Sequence, residues 1–245
     1  MTDPPPDHEF ARLSETWTRL GESDPYWAVL SDPAMRGGGW EDQLDAFMAS
    51  GEDEVATLAG RLADLGLDPD APALDFGCGV GRVTRALGKS LGGAHGVDIS
   101  LPMIERARTR GDVGCTYHHN AATDLGLFPD DRFGLVYSRL VFQHMPPKLG
   151  EAFLGELLRV ARPGAPVVIQ IPAARRGFRR LTAPLIQGSR RLIGRGGRTA
   201  GIEMHGIGRD RVARVVREAG GEVADVSPDD SAGPDWESWS YVFTG

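Results

Sequence analysis

Two cysteines, Cys78 and Cys115, are too few for a disulfide framework, and neither stands in a C-x-x-C pair or beside histidines at zinc-ligand spacing. That scarcity fits a reducing, cytoplasmic setting. Lysine is almost missing: of 27 basic residues only Lys89 and Lys148 are lysines. Such a bias marks a GC-rich coding sequence and makes each arginine weaker evidence of function. No stretch reaches the roughly 18 uninterrupted apolar residues of a membrane span, so none is expected. The start, Met1-Thr-Asp-Pro-Pro-Pro-Asp-His-Glu, is acidic and proline-rich and has neither the basic nor the apolar segment of a signal peptide. A formal charge of −7 leaves no broad basic field to displace counterions from a phosphate backbone, so nucleic acid is not expected as a partner.

What is present is a chain of 245 residues, 41% hydrophobic and 25% charged, the balance of one large domain with decorations. From Phe10 to about Leu67 the apolar residues recur at helical spacing, interrupted at Ser23-Asp24-Pro25, at Ser31-Asp32-Pro33 and by the glycines 37–39. After the turn-rich Leu67-Asp-Pro-Asp-Ala-Pro72 the pattern changes to short apolar runs alternating with helical segments, which indicates an α/β domain with a mostly parallel, doubly wound sheet. Seven strands are expected at Ala73–Phe76, Ala94–Asp98, Cys115–His118, Phe133–Tyr137, Pro166–Ile171, Glu222–Val226 and Trp239–Phe243, the last read as an edge strand. Helices are expected at Arg82–Leu91, Pro102–Arg110, Pro147–Ala161 and Arg209–Ala219. Residues 1–70 then form an N-terminal helical extension or lid, and 71–245 the main domain. An insertion follows the fifth strand at 173–205, with eight arginines and no acid between Ala173 and Ile202.

The first strand runs into Gly77-x-Gly79-x-Gly81, where glycines let the backbone turn sharply and approach a ligand. A dinucleotide fingerprint would need a further glycine at position 82, which is Arg82. Asp75, just before the turn, is a poor neighbour for a pyrophosphate and a good one for an ammonium group. The second strand ends in Asp98, 17 residues beyond Gly81, where a carboxylate can accept from both hydroxyls of a ribose. A nucleoside with an amino-acid tail, S-adenosyl-L-methionine, satisfies all three.

From Ala73 to Phe243 the chain resembles the class I, seven-stranded methyltransferases. The resemblance is carried by Ala73-Leu-Asp-Phe-Gly-Cys-Gly-Val-Gly81, by His118-His-Asn-Ala-Ala-Thr-Asp through Phe133-Gly-Leu-Val136, and by Leu158-Arg-Val-Ala-Arg-Pro-Gly-Ala-Pro-Val-Val-Ile169. It implies a sheet whose last strand is antiparallel, and a methyltransferase activity. It also implies a cofactor site built from Asp75, Phe76, Gly77, Cys78, Gly79, Gly81 and Arg82, then Asp98, Ile99 and Met103, then Asn120 and Ala121, and Ser138. Ile99 would pack on the adenine. Asn120 stands where the family usually has an aspartate for the adenine amino group, and Gly134 where it commonly has an aspartate after Phe133.

A sulfonium already makes its methyl group electrophilic, so the protein chiefly aligns a nucleophile and, for a hydroxyl, removes a proton. His144, in Tyr137-Ser-Arg-Leu-Val-Phe-Gln-His-Met-Pro146, is the candidate general base; its alternative role is to pack the following helix. This segment lacks the Asp/Asn-Pro-Pro-aromatic signature of nucleic-acid amino-methyltransferases. Candidate acceptor-binding residues are Tyr26, Trp27, Arg139, Gln143 and His205, the last with Glu203 nearby in sequence. No metal is expected, because no DxD or histidine-rich cluster stands in the relevant loops. The function expected is methyl transfer to a small molecule, preferentially at oxygen, acting on a metabolite, sugar or natural-product intermediate. A cofactor-binding scaffold or regulatory protein is the alternative. The oligomeric state is left open.

Overall fold

The computed structural model describes residues 7–30, 41–62, 67–176 and 202–245. Three helices precede the sheet: α1 (Asp7–Ser23), α2 (Pro25–Leu30) and α3 (Leu44–Leu62). Pro25 opens α2 at a first-turn position, where a missing N–H is harmless, so the break falls at Ser23-Asp24-Pro25. The breaks expected at 31–33 and 37–39 lie outside the described residues, as does most of the arginine-rich insertion.

Strands and helices then alternate: β1 (Ala73–Phe76), α4 (Arg82–Ser90), β2 (Ala94–Asp98), α5 (Leu101–Thr109), β3 (Cys115–His119), β4 (Leu135–Ser138), α6 (Pro147–Val160), β5 (Val167–Arg175), α7 (Arg209–Glu218), β6 (Glu222–Pro228) and β7 (Trp236–Thr244). The seven-stranded sheet has the order β3-β2-β1-β4-β5-β7-β6, with β7 antiparallel to both its neighbours. Side chains of β1 alternate between two cores, as strand geometry requires. Ala73 meets α3 and α4 through Val55, Leu58, Leu62, Val83 and Leu87. Leu74 and Phe76 meet α6 and α7 through Leu149, Phe153, Leu157, Val212 and Val216. The sheet is therefore covered on both faces, which explains its unbroken apolar runs.

Two expectations are corrected. The C-terminal strand is not at the edge, because β7 lies between β5 and β6. Burial accounts for this: Tyr241, Val242 and Phe243 are enclosed on both sides, whereas β6 is largely exposed and suits an edge. The insertion also starts later than position 173, since β5 continues to Arg175 and pairs Ala174 with Glu237 and Arg175 with Trp236 across a bulge after Pro172. The strand order reverses between β2-β1 and β4-β5. A crevice forms at the carboxyl ends of strands on either side of such a reversal.

Candidate active site

β1 ends at Phe76, and the three glycines that follow all have positive φ, 78° at Gly77, 54° at Gly79 and 84° at Gly81. All three are also short of room, Gly81 against the ring of Tyr117. A Cβ on Gly77 would stand 2.2 Å from Val141 Cγ2, and one on Gly79 2.8 Å from Val29 Cγ2. The turn is pinned to β2 by Gly77 N–H and Cys78 N–H, both donating to the Val97 carbonyl at 2.8 and 3.1 Å. This leaves a concave backbone at the mouth of the crevice.

Asp98, at the end of β2, accepts from Gly79 N–H at 2.9 Å on one oxygen and from Ser100 N–H at 2.8 Å on the other. Burial raises its carboxyl above the usual range and these two donors oppose the rise. Each oxygen keeps a lone pair for a ligand hydroxyl. A cavity of about 800 Å³, open mouth included, extends from here, with Gly77, Gly79, Asp98, Ile99, Met103 and Asn120 on one side and Val141, Met145, Leu149 and Phe153 on the other. Phe10, Leu13 and Trp17 of α1, with Ala28 and Val29 of α2, roof it. Ser100 Oγ–H donates to the Trp17 carbonyl at 2.9 Å, which ties the roof to the floor.

A smaller cavity of about 340 Å³ shares Val29, Gly77, Arg139 and Leu140 with the first and contains Asp75, Cys78, Arg82, Tyr137 and Glu54. Asp75 accepts from Thr84 Oγ1–H at 2.6 Å, and burial pushes its carboxyl up from 3.8 to about 7 although Thr84 opposes the rise. Glu54 of α3 takes the Tyr137 hydroxyl at 2.6 Å, Arg82 at 2.7 Å and Arg139 at 3.0 Å. Burial works to raise the Glu54 carboxyl, but the two guanidinium groups and Tyr137 outweigh it and hold it below its usual range. Glu54 was missed in the sequence, because nothing in α3 marks one acid among Glu52, Asp53 and Glu54 as the inward one.

Of the cofactor residues expected, Phe76, Gly77, Gly79, Asp98, Ile99, Met103 and Asn120 stand on the large cavity, and Asp75, Cys78 and Arg82 on the small one. Gly81 faces the ring of Tyr117 instead. Ser138 is buried and donates to the Phe76 carbonyl at 2.9 Å, bridging β4 and β1. Ala121 lies on the outer side of α1, and Ala122 takes its place in the cavity wall. The Asn120 side chain is partly occupied: Oδ1 accepts from Ala122 N–H at 3.2 Å and Nδ2–H donates to the Asp124 carbonyl at 2.8 Å. One lone pair on Oδ1 stays available. Gly134 has a steric reason, since a Cβ there would come within 2.4 Å of Ala71 Cβ.

The acceptor-side residues divide. Tyr26 and Trp27 are buried in the core of the N-terminal helices with Leu20, Phe47, Met48 and Met103, and the aromatic rings those helices bring to the cavity are those of Phe10 and Trp17. Helical spacing alone does not tell these faces apart. Arg139 lines both cavities. Gln143 is buried behind the wall and binds His144.

His144 borders the large cavity, but both its ring nitrogens are engaged. The Glu203 carbonyl, 3.3 Å from Nδ1, can only accept, so Nδ1 carries the proton. Nε2 then accepts from Gln143 Nε2–H at 3.1 Å. Burial pushes the imidazole down to about 4, against the Glu203 carbonyl and with help from His205. With His205 N–H donating to the Gln143 carbonyl at 2.7 Å, His144 fastens the segment after the insertion to the turn at 142–144. His205 lies in an adjoining hollow with Glu203, 4.0 Å from its Nε2, and Arg12, which pairs with Glu203 at 2.8 Å.

Residues 73–164 match the family described as a methyltransferase domain. That stretch is thus similar to methyltransferase domains, and it holds the glycine turn, Asp98 and the turn at 142–144. A 2-methyl-6-phytyl-1,4-hydroquinone methyltransferase of Synechocystis is 34% identical over 168 residues, covering 65% of this chain and 49% of the relative. A malonyl-[acyl-carrier protein] O-methyltransferase of Salmonella typhimurium is 38% identical over 99 residues, 40% of this chain and 37% of the relative. The chain thus spans about half or less of the length of these relatives. In fold it is similar to a magnesium protoporphyrin IX methyltransferase of Synechocystis with bound S-adenosylhomocysteine, at a TM-score of 0.63 and 17% identity over 96% of this chain and 98% of the other. The methyltransferase domain's first matched residue, Ala73, is the first residue of β1, so the match begins with the strand that delivers the glycine turn.

Proposed function

We propose that the whole protein is an S-adenosylmethionine-dependent methyltransferase acting on a small-molecule acceptor at oxygen. The supporting observation is the pair of neighbouring cavities at the strand-order reversal, which share Val29, Gly77, Arg139 and Leu140. One offers Asp98 with a free lone pair on each oxygen and apolar walls for a nucleoside, and the other offers Asp75, Arg82 and Arg139 for an amino-acid tail. When bound, the cofactor supplies an electrophilic methyl group on sulfur. Asp98 holds the ribose, Ile99 and Val141 enclose the base, and α1 keeps water from the crevice.

His144 supports a narrower acceptor class than the sequence alone does. An engaged imidazole pushed down to about 4 is a weak base. An aliphatic alcohol holds its proton too tightly for such a group, whereas a carboxylic acid is already ionised at neutral pH and a phenol or hydroquinone, with a pKa of about 10, gives up its proton far more readily than an alcohol. We therefore favour an acidic oxygen acceptor, a class that includes the hydroquinone in the name of the Synechocystis relative. The division into an extension over 1–70 and a cofactor-binding domain over 71–245 is part of the same reading, with α1 and α2 as the roof.

Incubation with methyl-labelled cofactor and panels of phenols, hydroquinones, carboxylic acids and aliphatic alcohols tests this. Label transfer is expected to the first three panels and not to the fourth. Tight cofactor binding without transfer to any panel would leave the scaffold alternative standing.

A further inference from the structure

The hollow that holds His205 lies against the large cavity. It measures about 480 Å³, open mouth included, and shares Leu13, Trp17 and His144 with the large cavity. Glu9, Arg12, Leu13 and Thr16 reach it from α1 at spacings of three and four, which put them on one stripe of the helix. Pro146 and residues of the segment 202–205 close the other side. A molecule in the hollow therefore stands next to the crevice assigned to the cofactor. With a nucleoside filling that crevice, the acceptor needs a seat of its own.

The lining of the hollow is of two kinds. Leu13, Trp17, Pro146 and Ile202 are apolar and flank room enough for one aromatic ring, for which about 150 Å³ suffices. The polar groups are unequal in what they can still bind. Arg12 is spent on Glu203 at 2.8 Å. The Glu9 carboxylate forms no ion pair among the described residues, yet it stands close enough to His205 to favour protonation of that ring. The ring of His205 makes no hydrogen bond among the described residues either, with Glu203 4.0 Å from its Nε2. Burial holds this imidazole below its usual range, with Arg12 in the same direction and against Glu203 and Glu9, so at neutral pH it is uncharged and offers one donor and one acceptor. An anion entering the hollow meets the carboxylate of Glu9 and a guanidinium already committed elsewhere. A hydroxyl meets groups it can donate to, at His205 and Glu9, and brings no charge to repel.

We infer that this hollow seats the methyl acceptor and selects a neutral, hydroxylated aromatic ring over an aromatic carboxylate, with Glu9 repelling the anion and His205 pairing with a ring hydroxyl. This rests on the methyl-transfer reading given above and narrows it. A carboxylic acid remains an acceptor, at higher concentration.

The test measures kcat and KM on the full chain with methyl-labelled cofactor and two acceptors, hydroquinone and benzoate. In the native protein the KM for hydroquinone is expected to lie about tenfold or more below that for benzoate. Glu9→Lys should lower the benzoate KM about threefold to tenfold and leave the hydroquinone KM within about threefold of native. Glu15→Lys changes the net charge equally on another face of α1, beside Ser14, Thr18 and Ala121, and should move neither KM by more than about twofold. His205→Phe should raise the hydroquinone KM about tenfold while kcat stays within about threefold of native. Equal KM values for the two acceptors in the native protein overturn the inference without any variant. So does a Glu15→Lys protein that behaves like Glu9→Lys, the mark of a bulk charge effect. A His205→Phe protein that loses kcat and affinity for S-adenosylhomocysteine together with the rise in KM overturns it too, because that ring then serves the fold and not the acceptor. A native protein that binds S-adenosylhomocysteine and methylates neither acceptor nor any other panel removes the methyl-transfer reading itself, and the inference with it.

Discussion

Replacing Asp75 by asparagine removes a charge while keeping an acceptor for the Thr84 hydroxyl. In the native protein burial pushes this carboxyl, 4% exposed, from 3.8 to about 7. A raised value means that the folded state binds the proton more tightly, so the stability linked to Asp75 is full below pH 3.8 and is lost as pH rises through about 7. At about 1.4 kcal/mol per tenfold, the interval amounts to about 4 kcal/mol. His144 and His95 act in the opposite sense. Burial pushes both from 6.5 down to about 4, so their contribution is full above pH 6.5 and is lost as pH falls through about 4. Each is worth at most about 3 kcal/mol, and less where water reaches the ring. Below about pH 6.5 the native profile is therefore a partial cancellation, and only the difference between variant and native isolates Asp75. Urea unfolding of the cofactor-free proteins, followed by tryptophan fluorescence from about pH 4.5 to 7.5, should show that difference growing by about 3 kcal/mol in favour of Asp75→Asn. A difference constant to within about 0.5 kcal/mol across that range would refute the buried, proton-retaining Asp75.

Three further outcomes follow from the geometry. Gly77→Ala places a methyl 2.2 Å from Val141 Cγ2 at a φ of 78°, so a loss of about 1–3 kcal/mol in thermal unfolding and at least tenfold weaker S-adenosylhomocysteine binding are expected. His144→Leu breaks the bonds to Glu203 and Gln143 and should lower stability by about 2 kcal/mol while methyl transfer falls less than about tenfold; a loss beyond about a thousandfold would restore a general-base role. Gly134→Ala should destabilise by about 1–3 kcal/mol through Ala71, and the double variant with Ala71→Gly should recover most of that, as denaturation midpoints would show.

The glycine turn, Asp75 and Asp98 were legible because their spacing ties each to the end of a strand, and strand ends at a reversal of order must meet. The helices of the extension were legible as helices. Which of their faces turns inward was not, and so Trp17 and Val29 took the place in the cavity wall expected of Trp27 and Tyr26. His144 was legible as a neighbour of the crevice, but its protonation state depends on the Glu203 carbonyl, 59 residues away.

By itself the sequence determined the alternating α/β architecture, the position of the glycine turn and the two acids that flank it, since these depend on periodicity and on contacts local to a strand and its following loop. Tertiary structure alone decided that β7 lies inside the sheet, that Glu54 reaches from α3 to Arg82 and Arg139, and that His144 serves as a fastening. Those outcomes depend on which distant groups are buried together, and the energy of a buried charge or hydrogen bond is set by partners that no local pattern records.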